Sequence, residues 1–425
     1  MHTDGSWDHD TQIMQVSMTA TPGAVFCDGT IYVFYEGGGS NGQSNGQLYN
    51  VCSIDGGTWY GPFQTLPIAI ANSPAATVFN GQIVCMMQSA NDGELAYTII
   101  NPGNSSPFMS ALNGTHMTGS PGITVFNNQL FCFYPNEGGE MCYYFCEEAC
   151  SGPMAMGFLP TISGSPAPVV FNENLYVFFQ TSDGLNYAYS STGAITQWSG
   201  ANPVPNLDNP FAPSAVTFGD NLYLFYTYYI DITPDGYELP IDNSRFWYTV
   251  ASLNASGQLD WAPPVEIRIG NTSDPFASIA YTYNSAAAPV VFNETLYVFF
   301  LGSGGEDYST PAASQGEFYS YIFCTAFSNG TWTYPVCVCD TMAILTDSVA
   351  VVSYDNGNGS MLYCIFQNGS GDLYYISTSN PGSAGSWSAP VQLGSSATTP
   401  TSSPPGVISE LADLSIGCIK MIVGN

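Results

Sequence analysis

Residues 166–180, PAPVVFNENLYVFFQ, decide the fold of this chain. Two apolar runs, 168–171 and 175–179, flank the short polar break Asn172-Glu173. Asn tolerates the positive φ of a tight hairpin turn, so the break predicts a turn between two paired strands. The second run is apolar without alternation, which indicates a strand covered on both faces. The stretch therefore predicts a buried β-hairpin.

The same pattern recurs along the chain. A near-twin, APVVFNETLYVFF, covers residues 288–300, and these two copies are followed by Trp198 and Trp332. Repeated apolar units of this length bury their faces only against one another, and four short strands per unit are typical of a β-propeller. The sequence therefore predicts an all-β fold, with residues 1–425 forming a single propeller of four-stranded antiparallel blades. Repeats start near residues 22, 74, 121, 166, 213, 289 and 348, and a last copy covers 404–425.

The two ends of the chain predict the number of blades. Trp7 has no repeat before it, and the copy that starts at Pro404 ends before it reaches a tryptophan. We expect residues 1–20 to supply the outer strand of a blade whose inner strands come from 404–425. This pairing of N-terminal and C-terminal strands would close the ring and remove its free edges. Eight blades follow, with a seven-bladed ring or terminal strand exchange between neighbouring chains as alternatives.

Small residues and tryptophans predict the order of strands within a blade. Each repeat opens with small and apolar residues, such as 75–79, which suit an innermost strand near a crowded axis. The fourth strand carries a tryptophan near its start, and we expect this side chain at the outer, partly wet edge of the blade.

The cysteines divide into two predicted groups. One group replaces Val or Leu at the third position of the second strand, as small buried hydrophobes do, and is predicted to be free thiols: Cys85, Cys132, Cys364 and Cys418. The other lies nearer turns and is predicted to form disulfides, with the connectivity left open: Cys142, Cys146, Cys150, Cys337 and Cys339.

Composition excludes several classes of partner. The chain has 33 acidic residues against 3 Lys and Arg, for a net charge of −30, so phosphate backbones and anionic membranes would be repelled. No apolar run approaches the roughly 18 residues of a membrane span. Charged residues make up only 8% of the chain, which suits an extracellular protein. The start, MHTDGSW, lacks the regions of a secretory signal, so a removed leader, unconventional export and an intracellular location stay open.

Asn-x-Ser/Thr sequences predict a glycoprotein. Each is an acceptor for N-linked glycans when it is exposed to the secretory pathway. The candidate acceptors are Asn104, Asn113, Asn254, Asn271, Asn293, Asn329, Asn358 and Asn368.

Residues 53–59, SIDGGTW, resemble the Asp box of sialidase-type propeller proteins, and 328–332 and 4–7 resemble degraded versions of it. In that superfamily the box is a structural turn between the third and fourth strands, with its tryptophan packed into the blade. The resemblance extends over most of the chain as architecture. Sialidases of this superfamily bind the substrate carboxylate with three arginines, whereas this chain has only Arg245 and Arg268. Sialidase chemistry is therefore not expected.

A short acidic segment is the one candidate metal site. Asp231, Thr233 and Asp235 place oxygen ligands at alternate positions before Gly236, which is similar to calcium loops of the DxDxDG type. The neutral Thr233 and the missing terminal Glu favour an ordinary turn. No other cofactor is expected.

Polar residues that end the second strand are the candidate sugar-binding groups. Glu36, Gln88, Gln180 and Gln367 stand beside aromatic residues such as Tyr35. Aromatic faces can stack on sugars while amides bind hydroxyl groups, and a ring of repeats offers several such sites. The alternative is that these amides satisfy backbone groups between blades.

These observations predict a non-enzymatic, carbohydrate-binding extracellular propeller, similar in architecture to the propeller lectins of fungi and bacteria. Its expected partners are glycans or further copies of itself. An extracellular structural glycoprotein that assembles into filaments, a sheath or a coat is the first alternative. A glycosidase acting on neutral glycans is the second alternative, since such chemistry needs only a pair of carboxylates.

Overall fold

The strands form a ring of six hydrogen-bonded sheets around a central axis. The computed structural model describes residues 21–37, 46–102, 108–112, 116–147, 150–207, 210–232, 241–267, 286–302, 320–344, 349–355, 359–368 and 372–393. Every named strand pair is antiparallel, and the fold is a β-propeller.

Sheet I is a double-width blade of seven strands. Its fourth strand is 20 residues long and pairs with β3 along 60–69 and with β5 along 70–79. One continuous strand therefore serves as the outer strand of one repeat and the inner strand of the next. The strands are β1 (Gly23–Cys27), β2 (Thr30–Glu36), β3 (Gln47–Ser53), β4 (Tyr60–Phe79), β5 (Gln82–Ser89), β6 (Leu95–Ile100) and β7 (Phe108–Leu112).

Sheets II and III are four-stranded blades. Sheet II contains β8 (Gly122–Phe126), β9 (Gln129–Pro135), β10 (Met141–Cys146) and β11 (Cys150–Ala155). Sheet III contains β12 (Ser163–Phe171), β13 (Asn174–Thr181), β14 (Gly184–Ser190) and β15 (Asn202–Pro203). The hairpin predicted from residues 166–180 is β12 and β13, and both Asn172 and Glu173 have positive φ in the turn between them.

Sheets IV, V and VI complete the ring. Sheet IV contains β16 (Pro210–Phe218), β17 (Asn221–Ile232), β18 (Ile241–Leu253), β19 (Leu259–Trp261) and β20 (Val265–Glu266). Sheet V contains β21 (Ala288–Phe292), β22 (Thr295–Gly302), β23 (Ser320–Ser328), β24 (Thr331–Trp332) and β25 (Val336–Ile344). Sheet VI contains β26 (Ala350–Asp355), β27 (Ser360–Gln367), β28 (Leu373–Thr378) and β29 (Val391–Gln392).

Helix is nearly absent from the described residues, which include two 3-10 turns at Ile195–Gln197 and Ala384–Ser386. Among these residues, no helix has the length and apolar character needed to span a bilayer.

Side-chain clusters hold the sheets together. One cluster packs inside sheet I, and six others fill the interfaces between neighbouring sheets around the ring. The second strands supply fully buried residues to these clusters, including Val33, Val177 and Leu224. This explains why those strands are apolar on both faces.

The predicted eight blades are wrong, and the seven separate blades of the alternative are not found either. Two repeats merge through β4 into one sheet, which leaves six sheets. The predicted closure by terminal strands is also wrong, because sheet I packs directly against sheet VI. Trp59 lies 5.3 Å from the ring of Tyr375 and 6.4 Å from that of Tyr363, so no further blade fits between them. Residues 1–20 and 404–425 lie outside the described residues.

Trp59 and Trp198 do not lie at a wet outer edge. Trp59 and Trp198 are only 7% and 9% exposed, and each packs on aromatic rings of the preceding sheet. Trp198, for example, contacts Phe133 and Tyr143 of sheet II with its ring. The tryptophan is therefore an interface residue, since burial of its large ring stabilises the contact between two blades.

The cysteines follow the predicted division in part. Cys85, Cys132 and Cys364 are buried thiols, whereas Cys418 lies outside the described residues. Cys146 and Cys150 form a disulfide between paired positions of β10 and β11. The other predicted disulfide formers, Cys142, Cys337 and Cys339, remain thiols.

Candidate functional site

The chain direction divides the ring into two faces. The second strand of each repeat starts at a tight turn and ends near the start of the first strand, because the two are antiparallel. We call the face with the ends of the second strands the loop face. The opposite face, with turns such as Asp28-Gly29 and Asn293-Glu294, is the turn face. The four predicted polar residues lie at or next to the last position of second strands and therefore toward the loop face: Glu36, Gln88, Gln180 and Gln367.

The predicted aromatic partners of these polar residues are buried in the core. Tyr35 is 2% exposed, and its ring stacks on Tyr49 at 6.2 Å. Phe179 and Phe366 are 1% and 0% exposed. All three rings belong to the side-chain clusters that fill the interfaces between neighbouring sheets. Tyr35 therefore offers no surface on which a sugar could stack.

Gln88 has a structural role. Its amide nitrogen donates to the carbonyl oxygen of Met117 and, at 3.4 Å, to that of Gly93. Its amide oxygen accepts a hydrogen bond from the side chain of Asn72. Gln88 is also only 9% exposed. At this position the alternative interpretation applies, because the amide satisfies backbone groups of neighbouring segments.

The remaining polar residues differ in accessibility. Glu36 and Gln367 are 7% and 5% exposed, so little of either side chain is open to a ligand. Gln180 is half-buried and pairs across the sheet with Ser163, at the end of the connection from sheet II to sheet III. Of the predicted sugar-binding residues, Gln180 is the one whose amide is most open to solvent.

The same connection carries an exposed aromatic ring. Phe158 follows the last strand of sheet II and is 50% exposed. Leu159 next to it is 9% exposed, and its amide donates to the carbonyl oxygen of Met156 at 2.8 Å. The buried Leu159 anchors the connection, while Phe158 faces solvent at the loop face.

A carboxylate lies against the same connection, at Gly157. Glu140 Oε1 is 2.7 Å from the position that a Cβ on Gly157 would occupy, so the carboxylate rests against the backbone next to Phe158. Any side chain at position 157 would displace it. Glu140 Oε2 accepts a hydrogen bond of 3.2 Å from Asn136 Nδ2. The loop also touches the connection directly, because the Ile162 amide donates to the Gly139 carbonyl oxygen at 2.7 Å.

Asn136 fixes the loop that presents the carboxylate. Its Oδ1 accepts hydrogen bonds from the amides of Gly138 at 2.9 Å and Glu140 at 2.8 Å. An Asn side chain that bonds to the backbone ahead of it is a common way to build a tight turn. We name the group Asn136, Glu140, Phe158 and Gln180 the II–III corner. The prediction from strand ends included Gln180 but missed Asn136, Glu140 and Phe158, for which an aromatic residue in a Gly-containing connection was the only sequence signal.

A second concave feature is the central channel. It encloses a cavity of about 390 Å³ lined mainly by small residues of the innermost strands, including Ala24, Ala76, Gly122 and Ala215. No carboxylate stands among the described residues that line it. Hydrolysis of a glycosidic bond needs two carboxylates at suitable separation, so these lining residues do not supply that chemistry.

The segment that resembles an Asp box forms a structural turn. Asp55 Oδ1 accepts hydrogen bonds from the amides of Gly57 at 2.9 Å and Thr58 at 2.6 Å, and from Ser53 Oγ at 3.2 Å. Burial acts to raise the pKa of Asp55, but these hydrogen bonds outweigh it and hold the pKa below its usual range. The residues position Trp59 at the I–VI interface, and they do not by themselves establish membership of the superfamily.

Two groups of predicted site residues lie largely outside the described residues. Thr233 and Asp235 of the calcium loop do so, while the backbone of Asp231 pairs with Asp242 in the β17–β18 hairpin. The described part of the chain contains no group of three or more His, Cys, Asp or Glu placed to bind a metal. Four glycosylation candidates also lie outside it: Asn104, Asn113, Asn271 and Asn358.

Comparison with known proteins yields architecture only. No protein-family model and no curated protein matches the chain. A fungal lectin with a six-bladed β-propeller fold, from Aleuria aurantia, is 11% identical, covers 92% of this chain and 98% of its own, and has a TM-score of 0.45. AofleA from Arthrobotrys oligospora is 14% identical over 80% of this chain and 91% of its own, with a TM-score of 0.43.

An enzyme is similar to the same degree. An α-L-arabinofuranosidase from Clostridium thermocellum is 14% identical over 76% of this chain and 95% of its own, with a TM-score of 0.39. At these levels of identity and TM-score, neither the lectins nor the hydrolase carries a function over to this chain. The function has to be argued from the site.

Proposed function

We propose that this protein binds neutral carbohydrate without hydrolysing it, through shallow sites on the loop face. The observation that carries the proposal is the exposed ring of Phe158 in a connection whose preceding residue, Gly157, lies against the carboxylate of Glu140. An aromatic face can pack against the apolar face of a sugar ring. A carboxylate next to it can accept hydrogen bonds from sugar hydroxyl groups, and such charge-assisted bonds are stronger than neutral ones.

The charge of the corner supports neutral ligands over acidic ones. Residues 136–164 contain Glu137, Glu140, Glu147 and Glu148 but no Lys or Arg. A carboxylated sugar would meet repulsion from these groups and would find no guanidinium with which to pair. The proposed ligands are therefore neutral glycans. Binding at one shallow site is expected to be weak, and several related sites on one ring would raise the overall avidity.

An extracellular setting is part of the proposal. A disulfide such as Cys146–Cys150 is typical of oxidising compartments, and the charge-poor composition is compatible with secretion. Cell fractionation of the native source, followed by immunoblotting with and without reducing agent, would test this part on its own.

Binding is tested with the full-length chain and defined sugars. We would titrate α-methyl-L-fucoside, methyl β-galactoside and N-acetylglucosamine calorimetrically, with sialyllactose as the charged comparison. For any neutral sugar that binds, Phe158→Ala is expected to weaken the affinity about tenfold or more, equivalent to about 1.4 kcal/mol. Glu140→Gln is expected to weaken it to a smaller extent, because the amide oxygen still accepts hydrogen bonds.

The matched control is Tyr334→Ala. Tyr334 is 60% exposed but belongs to sheet V, away from the corner. Its removal should leave the affinity unchanged. If no neutral sugar binds on titration or on a broad glycan array, or if the Phe158 and Tyr334 variants behave alike, the proposal is wrong.

Self-assembly is a second candidate function. Sheets I and VI close the ring by side-chain contact, so the described closure does not use the repeat copies in residues 1–20 and 404–425. In this second proposal, the repeat copies in these segments would pair with another chain. Light scattering during size-exclusion chromatography of the full chain, and of a chain that lacks these segments, would test this: a monomer in both cases at every concentration excludes it.

A further inference from the structure

We propose that the turn face of sheets IV and V is an N-glycosylated surface, with Asn254, Asn293 and Asn329 as its acceptors. All three belong to Asn-x-Ser/Thr sequences. The proposal concerns covalent modification; it rests on the extracellular setting proposed above but not on sugar binding.

The topology places the three acceptors on one side of the ring. Asn293 lies in the turn between β21 and β22, and Asn329 in the turn between β23 and β24. Asn254 lies in the turn between β18 and β19. Turns from first to second strand and from third to fourth strand both emerge at the turn face. Since sheets IV and V are neighbours, the acceptors mark one sector of that face.

Each acceptor is exposed at the tip of a tight turn. Asn293, Asn254 and Asn329 are all exposed. Asn293 and Asn329 have φ values of 47° and 51°, which is the left-handed region used in two-residue hairpin turns. A glycan attached to an exposed turn tip projects into solvent without displacing core side chains.

The side chain of Asn254 is held by its oxygen alone. Oδ1 accepts hydrogen bonds from the amides of Ser256 at 2.9 Å and Gln258 at 3.0 Å. Neither bond involves Nδ2, which is the atom that becomes linked to a sugar. The local turn can therefore persist after modification.

The fourth acceptor sequence within the described residues, at Asn368, is not part of the proposed glycosylated surface. Asn368 follows β27 and so lies toward the loop face. It is half-buried, and its Oδ1 accepts a hydrogen bond of 2.8 Å from the amide of Asp372. On the described residues, the exposed acceptors and the II–III corner are thus on opposite faces of the ring.

The transfer requires a lipid-pyrophosphate-linked oligosaccharide and the membrane transferase of the secretory pathway. The Asn Nδ2 attacks the anomeric carbon of the donor, forming a C–N bond. The bond between that carbon and the pyrophosphate oxygen breaks, the lipid pyrophosphate leaves with the electron pair, and the amide nitrogen loses one proton.

Sheet III provides a matched control that lacks only the third residue of the acceptor sequence. Asn172 and Glu173 have φ values of 44° and 59°, against 47° and 59° for Asn293 and Glu294. The residue after each pair also reaches back: Asn174 Nδ2 donates to the Asn172 carbonyl oxygen at 2.9 Å, and Thr295 Oγ1 to that of Asn293 at 3.5 Å. Asn174→Thr would therefore create an acceptor at Asn172 in the same geometry.

The experiment uses the full chain, secreted by eukaryotic cells behind a cleavable leader. Trypsin is unsuitable because the chain has only 3 Lys and Arg, so peptides would be produced with chymotrypsin and a Glu-specific protease. Glycan removal in ¹⁸O water marks each occupied Asn by its mass. We expect occupancy at Asn254, Asn293 and Asn329, loss at Asn293 alone in Thr295→Ala, and one additional site at Asn172 in Asn174→Thr.

Each possible result of this experiment either overturns or supports the proposed glycosylation. If the secreted, folded chain carries no glycan at these three positions, the proposal is overturned. It is also overturned if Asn174→Thr gives no modification at Asn172, because exposure at the turn tip would then be insufficient. Occupancy of Asn293 together with a gained site at Asn172 supports it, whether or not any sugar binds the II–III corner.

Discussion

Gly56 lacks a side chain because the hydroxyl of Tyr363 occupies the space beside it. A Cβ added at Gly56 would overlap that hydroxyl, and the residue has a φ of 72°. Tyr363 cannot easily move away, since its ring packs against Trp59, Tyr354 and Tyr375. The glycine of this turn is therefore required by a residue about 300 positions further along the chain.

Substitution of Gly56 should lower the free energy of unfolding much more than substitution of a positive-φ glycine with open space beside it. We expect Gly56→Ala to lower the free energy of unfolding by about 3 kcal/mol, from positive-φ strain plus overpacking. Gly29→Ala is the control, because Gly29 has a φ of 74° but no atom within 4 Å of an added Cβ. It should cost only about 1 kcal/mol. If urea denaturation shows the same loss of unfolding free energy for Gly56→Ala and Gly29→Ala, the contact between Gly56 and Tyr363 is contradicted.

Asp55 should make the stability of the turn depend on pH. Its folded pKa is depressed, so its contribution is present above the unfolded value of about 3.9 and is lost as pH falls through the folded pKa. We expect Asp55→Ala to cost about 1 kcal/mol at pH 7, as loss of a backbone-capping carboxylate does. The difference from the parent protein should shrink below about pH 4.

The matched measurement uses Asp220→Ala. Asp220 is an exposed turn residue whose side chain makes no hydrogen bond to the described part of the chain. Thermal melts from pH 3 to 7 should show no pH-dependent difference for this variant. A constant difference for Asp55→Ala over the whole range would show that charge is not the cause.

Among elements, a tryptophan packed on a tyrosine of the preceding sheet recurs around the ring. The ring centroids of Trp198 and Tyr143 are 5.9 Å apart, and those of Trp332 and Tyr248 are 5.1 Å apart. The same contact joins Trp59 to Tyr375 at 5.3 Å across the closing interface. The interface between the two ends of the ring is therefore built like the others, without an exchanged strand.

A hydroxyl deletion tests this closing interface. Tyr354 donates to the Ile54 carbonyl oxygen at 2.7 Å, across 300 residues of sequence. We expect Tyr354→Phe to cost about 1 kcal/mol in the free energy of unfolding. Tyr143→Phe, which removes a 3.0 Å bond to the Gly193 carbonyl oxygen at an internal interface, should cost a similar amount. If only the Tyr143 variant loses stability, sheets I and VI are not joined as described.

The sequence was sufficient to predict individual hairpins but not the number of sheets. The apolar run at 175–179 and the Asn172-Glu173 break are local signals, and β13 and its turn match them. The break around Asn72 and Pro74 looks like a repeat boundary. A register shift between Ala71 and Ala75 instead absorbs it within one strand. Local composition could not reveal this, because the shift depends on how this part of β4 pairs with β5, further along the chain.

The candidate site was less predictable for a related reason. The sequence predicts that Tyr35 accompanies Glu36 in a sugar-binding site, but the whole of β2 is buried and the Tyr35 ring lies in the core. The exposure of Phe158 depends on how the connection packs against the loop from Asn136 to Glu140. This packing involves the Ile162 to Gly139 hydrogen bond, which no short window of sequence contains.

The whole molecule carries a net charge of −30 with a calculated isoelectric point of about 4.1. Like charge keeps molecules apart at neutral pH, and this repulsion disappears as the carboxylates protonate. Self-association should therefore depend more on pH than on salt concentration.

We expect solubility to pass through a minimum near pH 4 and to recover below pH 3. Turbidity and light scattering between pH 2.5 and 8 would measure it, with circular dichroism at each pH as the control for unfolding. A solubility that stays constant across pH 4 while the fold is retained would contradict the expectation.

The continuous strand β4 bears on how such a ring could evolve. Most neighbouring repeats are joined by connections, such as 156–162, into which a further copy of the repeat could be inserted by gene duplication. Within Tyr60–Phe79, an insertion would cut a strand that is hydrogen-bonded on both sides of the junction. Recombination that adds or removes repeats is therefore directed to the other junctions, and the two repeats of sheet I should be inherited as a pair.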